Sequence, residues 1–82
     1  MPLFMDVHTL EGVSCDAVRN AHAKDVAIQG DHGVNYKSYW VSEQEGKVFC
    51  LVEAPDAETA ARVHREAHGL VADEIYEVQE GS

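Results

Sequence analysis

Near the start of the chain, apolar and polar side chains alternate one by one. Leu3, Met5 and Val7 fall on one side of a period-two pattern and Phe4, Asp6 and His8 on the other, which predicts a strand over residues 3–8. Glu11 and Gly12 break the alternation. Ser14 then suits an N-cap, Asp16 the first helical turn and Gly30 a C-cap, so a helix is predicted over Cys15–Gln29. Beyond the turn-forming Gly30-Asp31-His32-Gly33, residues 34–43 are rich in aromatic and β-branched side chains. Gln44-Glu45-Gly46 separates them from a second such run, Lys47–Glu53, and the two predict a hairpin. Pro55-Asp56 opens a second helix over 57–68, Gly69 ends it, and a short strand near 74–78 completes the order βαββαβ.

That order is the split βαβ arrangement, in which right-handed crossovers lay both helices on one face of a four-stranded antiparallel sheet. The predicted class is therefore α+β, ferredoxin-like, with residues 1–82 forming a single domain. The uncovered sheet face does not look polar. Phe4, one of Tyr39 and Trp40, one of Phe49 and Cys50, and one of Ile75 and Tyr76 are expected there, and such a surface predicts a homodimer packed sheet to sheet. The alternative is a monomer with scattered exposed aromatics.

Size supports looking for a partner or a metal, because 82 residues lie below the length at which one core stabilises a chain comfortably. Hydrophobic residues at 45% and charged residues at 26% match an ordinary globular protein. Fifteen acidic against six basic residues give a formal net charge of -9, which argues against nucleic acid and membrane surfaces and in favour of cations. A targeting pattern and a membrane-spanning apolar run are both missing, and Cys15 and Cys50 lack the short spacing of a zinc or redox motif. A cytoplasmic protein with reduced thiols is expected. Five histidines in so acidic a chain supply, with the carboxylates, a ligand set that borderline divalent metals accept.

On a helical wheel Cys15, Val18, Ala21, Val26 and Ile28 share one broad arc of the first helix, and His22, Asp25 and Gln29 lie within it. In the second helix Ala57, Ala60, Ala61, Val63 and Ala67 form the apolar arc, with His64 and His68 on the same side. An i, i+4 histidine pair places two imidazoles about one turn apart, as adjacent ligands of one ion require. The topology allows His22 to approach His64, and His8, Cys15 and His68 to meet at one edge. Each residue also has a plainer reading. His22 with Asp25 suits a buried hydrogen-bonded pair, Asp6 with His8, which point the same way and could chelate, an exposed or interfacial pair, His32 a solvent-facing loop, and Cys50 an inert core thiol. No nucleophile elbow, phosphate loop or dinucleotide fingerprint occurs.

The stretches Ala21-His22-Ala23-Lys24-Asp25, Tyr39-Trp40-Val41, Val48 to Pro55 and Val63 to Leu70 closely resemble the small nickel-binding, nickel-responsive ferredoxin-like proteins of bacteria. The resemblance runs from Met5 to Val78, and the segment through His64 and His68 is its most specific part. It implies a homodimer that binds nickel ions at its surface and serves to sequester or detoxify them. Surface coordination would favour His32, His8 and histidines at helix ends, leaving His22 and Asp25 as a buried polar pair. The expected function is thus a non-enzymatic Ni(2+)-binding protein. His64 and His68 are the first candidate ligands, followed by Asp25, His22, His32 and His8. Two alternatives stand beside it: a small dimeric enzyme using His22, Asp25 and His64 for acid–base chemistry, and a metal-responsive interaction module whose association with other chains depends on metal.

Overall fold

A computed structural model describes residues 1–81. Its order is β1 (Leu3–Thr9), α1 (Cys15–Gln29), a short 3-10 turn (Gly30–His32), β2 (Asn35–Ser42), β3 (Lys47–Glu53), α2 (Ala57–Ala67) and β4 (Glu74–Val78). All pairings are antiparallel and the strand order is β2-β3-β1-β4, as the split βαβ reading requires. Ser14 caps α1 by accepting from the Ala17 amide, and Asp56 caps α2 by accepting from that of Thr59. Gly30 does not reverse the chain, since its φ of -61° is right-handed. The reversal comes at Gly33, where φ is +66°.

Cross-strand register assigns each side chain to a face. One face carries the rows Tyr36–Val52–Phe4, Tyr39–Cys50–Asp6–Ile75 and Val41–Val48–His8. Val18 of α1 and Ala60 and Val63 of α2 pack on it, making a core with Phe4, Val48 and Val52. Phe4 is therefore buried beneath the helices and not on the open face as expected. Asp6 and His8 lie beside it and are also buried: His64 of α2 pairs with Asp6 there, and Asp6 in turn accepts from His8. The opposite face holds the rows Trp40–Phe49–Val7 and Ser38–Leu51–Met5–Tyr76. Trp40 and Tyr76 are each 52% exposed on it.

The pairing of β2 with β3 slips at Lys37. This bulge turns Tyr36 and Tyr39, three residues apart, to the same side, where strict alternation would separate them. It settles which of Tyr39 and Trp40 faces the helices: Tyr39 does. On α1 the buried side is narrower than the wheel predicts. Cys15 and Val26 are exposed, so the expected meeting of Cys15 with His8 and His68 does not occur. Helix α2 matches its prediction, with Ala60, Val63 and His64 buried.

Candidate functional site

A chain of polar side chains runs through the interface between sheet and helices. His8 of β1 donates from Nε2 to Asp6 Oδ1 at 3.1 Å. The other oxygen, Asp6 Oδ2, lies 3.0 Å from His64 Nε2 and 3.1 Å from the Tyr36 hydroxyl. On its far side His64 places Nδ1 2.9 Å from Asp25 Oδ1 of α1. Asp25 also receives Nε2 of His68, at 3.2 Å from Oδ2, while His68 Nδ1 accepts from the Leu70 amide at 3.1 Å. Asp6, His8, Asp25 and His64 are all at least 97% buried.

Proton placement follows from these contacts. An ionised carboxylate only accepts, so His64, facing one at each ring nitrogen, must donate from both and is an imidazolium. Burial opposes that charge, but the hydrogen bonds to Asp25 and Asp6 outweigh it and raise the His64 pKa well above the usual histidine range. Burial likewise opposes ionisation of Asp6, and donation from His64 and His8 overrides it, holding the carboxyl below its usual range. His68 differs, because burial lowers its pKa and the Leu70 amide needs its Nδ1 lone pair. It is the neutral Nε2–H tautomer. Burial, with the negative charge of Asp6 and Asp25, keeps the Tyr36 phenol protonated, and burial pushes the Cys50 thiol up to about 11.

Two groups of donor atoms converge here. Asp25, His64 and His68 each offer one atom, all within 4.8 Å of one another, and so do Asp6, His8, Cys50 and His64. Four of the six sequence candidates are thus brought together, namely His64, His68, Asp25 and His8. The other two lie apart from the hydrogen-bonded chain. His22 packs its ring on Tyr39, with centroids 4.8 Å apart, and the expected His22–Asp25 pair is replaced by Asp25 with His64 and His68. His32 is half-buried beside Glu66, at 3.3 Å. Asp6 and His8 overturn the expectation of an exposed or interfacial pair.

Sequence reasoning passed over Tyr36 as a member of the site, and it favoured plainer readings of Asp6, as half of an exposed or interfacial pair, and of Cys50, as a core thiol. For Asp6 a signal existed, since its strand places it on the same side as Phe4 and His8. Tyr36 carried none, because the bulge at Lys37 decides where it points. An open cleft leads from solvent to the polar chain between α1, β1 and the start of the α2–β4 loop, with His22 and Tyr39 among its walls.

Comparison with known proteins places this architecture. The family model described as nickel responsive protein SCO4226-like matches residues 4–78. The crystal structure of SCO4226 from Streptomyces coelicolor A3(2) superposes with a TM-score of 0.90 at 40% sequence identity, covering 98% of this chain and 99% of that one. A comparison with curated proteins found no match.

Proposed function

The chain belongs to the SCO4226-like family of nickel-responsive proteins, and we propose that it binds Ni(2+) through Asp25, His64 and His68 to sequester or detoxify the ion. One observation carries this reading: the carboxylate of Asp25 in α1 and the imidazoles of His64 in α2 and of His68, which caps the end of α2, present donor atoms within 4.8 Å of one another at the inner end of an open cleft. The set suits nickel, which accepts imidazole, carboxylate and water together. His64 can ligate only after losing a proton and His68 only after giving up a hydrogen bond, so binding releases protons and weakens as pH falls. His32 beside Glu66 is a weaker candidate, with one carboxylate partner and no third donor in the converging groups among the described residues.

The same reading takes the protein as a cytoplasmic homodimer and not an enzyme. Both cysteines are free thiols, and among the described residues no helix is long and apolar enough to cross a membrane. The apolar face with Trp40, Phe49, Leu51 and Tyr76 is the proposed dimer surface, and nickel bridging between dimers is a route to higher association. As an acid–base centre His64 is poorly placed, because both ring nitrogens are committed to carboxylates.

Calorimetric titration of metal-free protein with Ni(2+) in two buffers of different ionisation enthalpy tests the proposal. The expected result is saturable binding with proton release, an affinity that falls steadily as pH drops through the neutral range because the ion must displace the His64 proton, and at least tenfold weakening in His68→Ala but not in His32→Ala. Unchanged affinity in both His68→Ala and Asp25→Asn, with the fold verified by circular dichroism, rejects this ligand set.

A further inference from the structure

The open sheet face carries charges at its two ends. Strand register sets Ser42–Lys47–Thr9 as the row at one end and Asn35–Glu53–Leu3–Val78 as the row at the other, with the two apolar rows between them. A third charge, Glu74, stands at the β4 edge opposite Val7, where its carboxylate accepts from the Tyr76 hydroxyl. Lys47 and Glu53 are half-buried, and each has one side-chain contact: Lys47 Nζ donates to Thr9 Oγ1 at 3.1 Å, and Glu53 Oε1 accepts from Asn35 Nδ2 at 3.2 Å. Among the described residues neither forms an ion pair. An ammonium and a carboxylate with hydrogen-bonding capacity to spare therefore flank the apolar rows.

A second copy can cover those rows, with the strands of the two sheets nearly aligned, about a two-fold axis lying between the faces in either of two directions. With the axis along the strands, each end of the sheet meets the same end of its copy. Lys47 then approaches the partner's Lys47, Glu53 the partner's Glu53, and Trp40 lies over the partner's Glu74, which brings like charges together on chains already at -9 each. With the axis across the strands, the ends exchange. Phe49 meets the partner's Leu51, Val7 meets the partner's Met5, and Lys47 lies opposite the partner's Glu53, twice by symmetry.

We propose that two copies of this chain pair sheet to sheet about a two-fold axis across the strands, with Lys47 of each copy meeting the partner's Glu53. The arrangement rests on the reading of this face as the dimer surface and goes beyond it, because it names the residues that choose between two ways of making the same apolar contact. The apolar rows drive association, and the charges at the ends exclude the alternative in which they would repel.

Sedimentation equilibrium of the full chain in about 0.1 M salt tests the arrangement through Lys47→Glu, Glu53→Lys and the double exchange. Each single reversal is expected to raise the dimer Kd about tenfold, and the double exchange to return it to within about threefold of native. Lys47 and Glu53 lie six positions apart along β3, a span of about 20 Å. That is about twice the screening length at this salt, so rescue reports a pairing between copies and not within one. Carbodiimide coupling of native protein, mixed from nitrogen-14 and nitrogen-15 samples, should also yield a Lys47–Glu53 cross-linked peptide of mixed isotope, and this measurement decides should a reversal fail to fold. A native chain that sediments as a monomer overturns the dimer reading and the arrangement together. A native dimer whose double exchange stays as weak as the single reversals, or whose cross-linked peptides lack Lys47 joined to the partner's Glu53, keeps the dimer and overturns the arrangement alone.

Discussion

His64 sits between two carboxylates with almost no contact with water, and its protonation state follows from geometry. Breaking such an arrangement by removing one charge is costly, because the partners remain buried and unpaired. A His64→Ala change is expected to destabilise by about 3–5 kcal/mol, read from urea unfolding. The pH dependence of the metal-free protein follows from two shifts of opposite direction. Asp6 is lowered, so its contribution is present above its unfolded value near 3.9 and fades as pH falls through its folded value. His64 is raised, so its contribution is complete below its unfolded value near 6.5 and declines as pH rises toward its folded value. The urea midpoint should therefore be highest between about pH 4 and 6.5. A midpoint that stays flat from that plateau into the alkaline range would show that His64 is not an imidazolium.

At the level of elements, the polar chain ties four pieces of secondary structure together. Strand β1 supplies Asp6 and His8, α1 supplies Asp25, α2 supplies His64, and β2 contributes Tyr36, whose hydroxyl lies 2.9 Å from the carbonyl of Ala60 in α2 and 3.1 Å from Asp6. The single phenolic proton serves one acceptor at a time, and both acceptors are buried. Tyr36→Phe preserves the ring and removes these bonds, so a loss of about 1–3 kcal/mol in unfolding free energy is expected. The helix and strand boundaries were legible from period, caps and glycines. Face assignment was legible for α2, where alanines and histidines segregate cleanly from Glu58, Arg62 and Arg65. It failed for β1, where the more hydrophobic side, Leu3, Met5 and Val7, turns away from the helices. Hydropathy sees a carboxylate and an imidazole as surface groups and does not see that α2 brings His64 to Asp6, which in turn holds His8.

For the molecule as a whole, the sheet's uncovered face is the dominant surface feature. Trp40, Phe49 and Val7 form one apolar row and Leu51, Met5 and Tyr76 another, on a chain of net charge -9 whose like-charged copies need a neutral contact to associate. Sedimentation at micromolar concentration is expected to show a dimer, and Trp40→Glu, at a half-exposed position, should convert it to monomer with little effect on the monomer fold. A native protein that sediments as a monomer would remove this surface from the proposed function.

The order of elements, the α+β class and the pairing of His64 with His68 on one helix face were determined by local sequence, because caps, turns and periodicity act over a few residues. Which of the five histidines meet carboxylates was decided only when the chain closed. Asp6, Asp25 and His64 are separated by 19 to 58 positions, and their contacts rest on strand register, on one bulged residue and on the approach of two helices. The hydrogen bonds that make those charges tolerable in the interior exist only in the folded state. Burial of a polar group is therefore a property of the assembled interior and not of the residue that carries it.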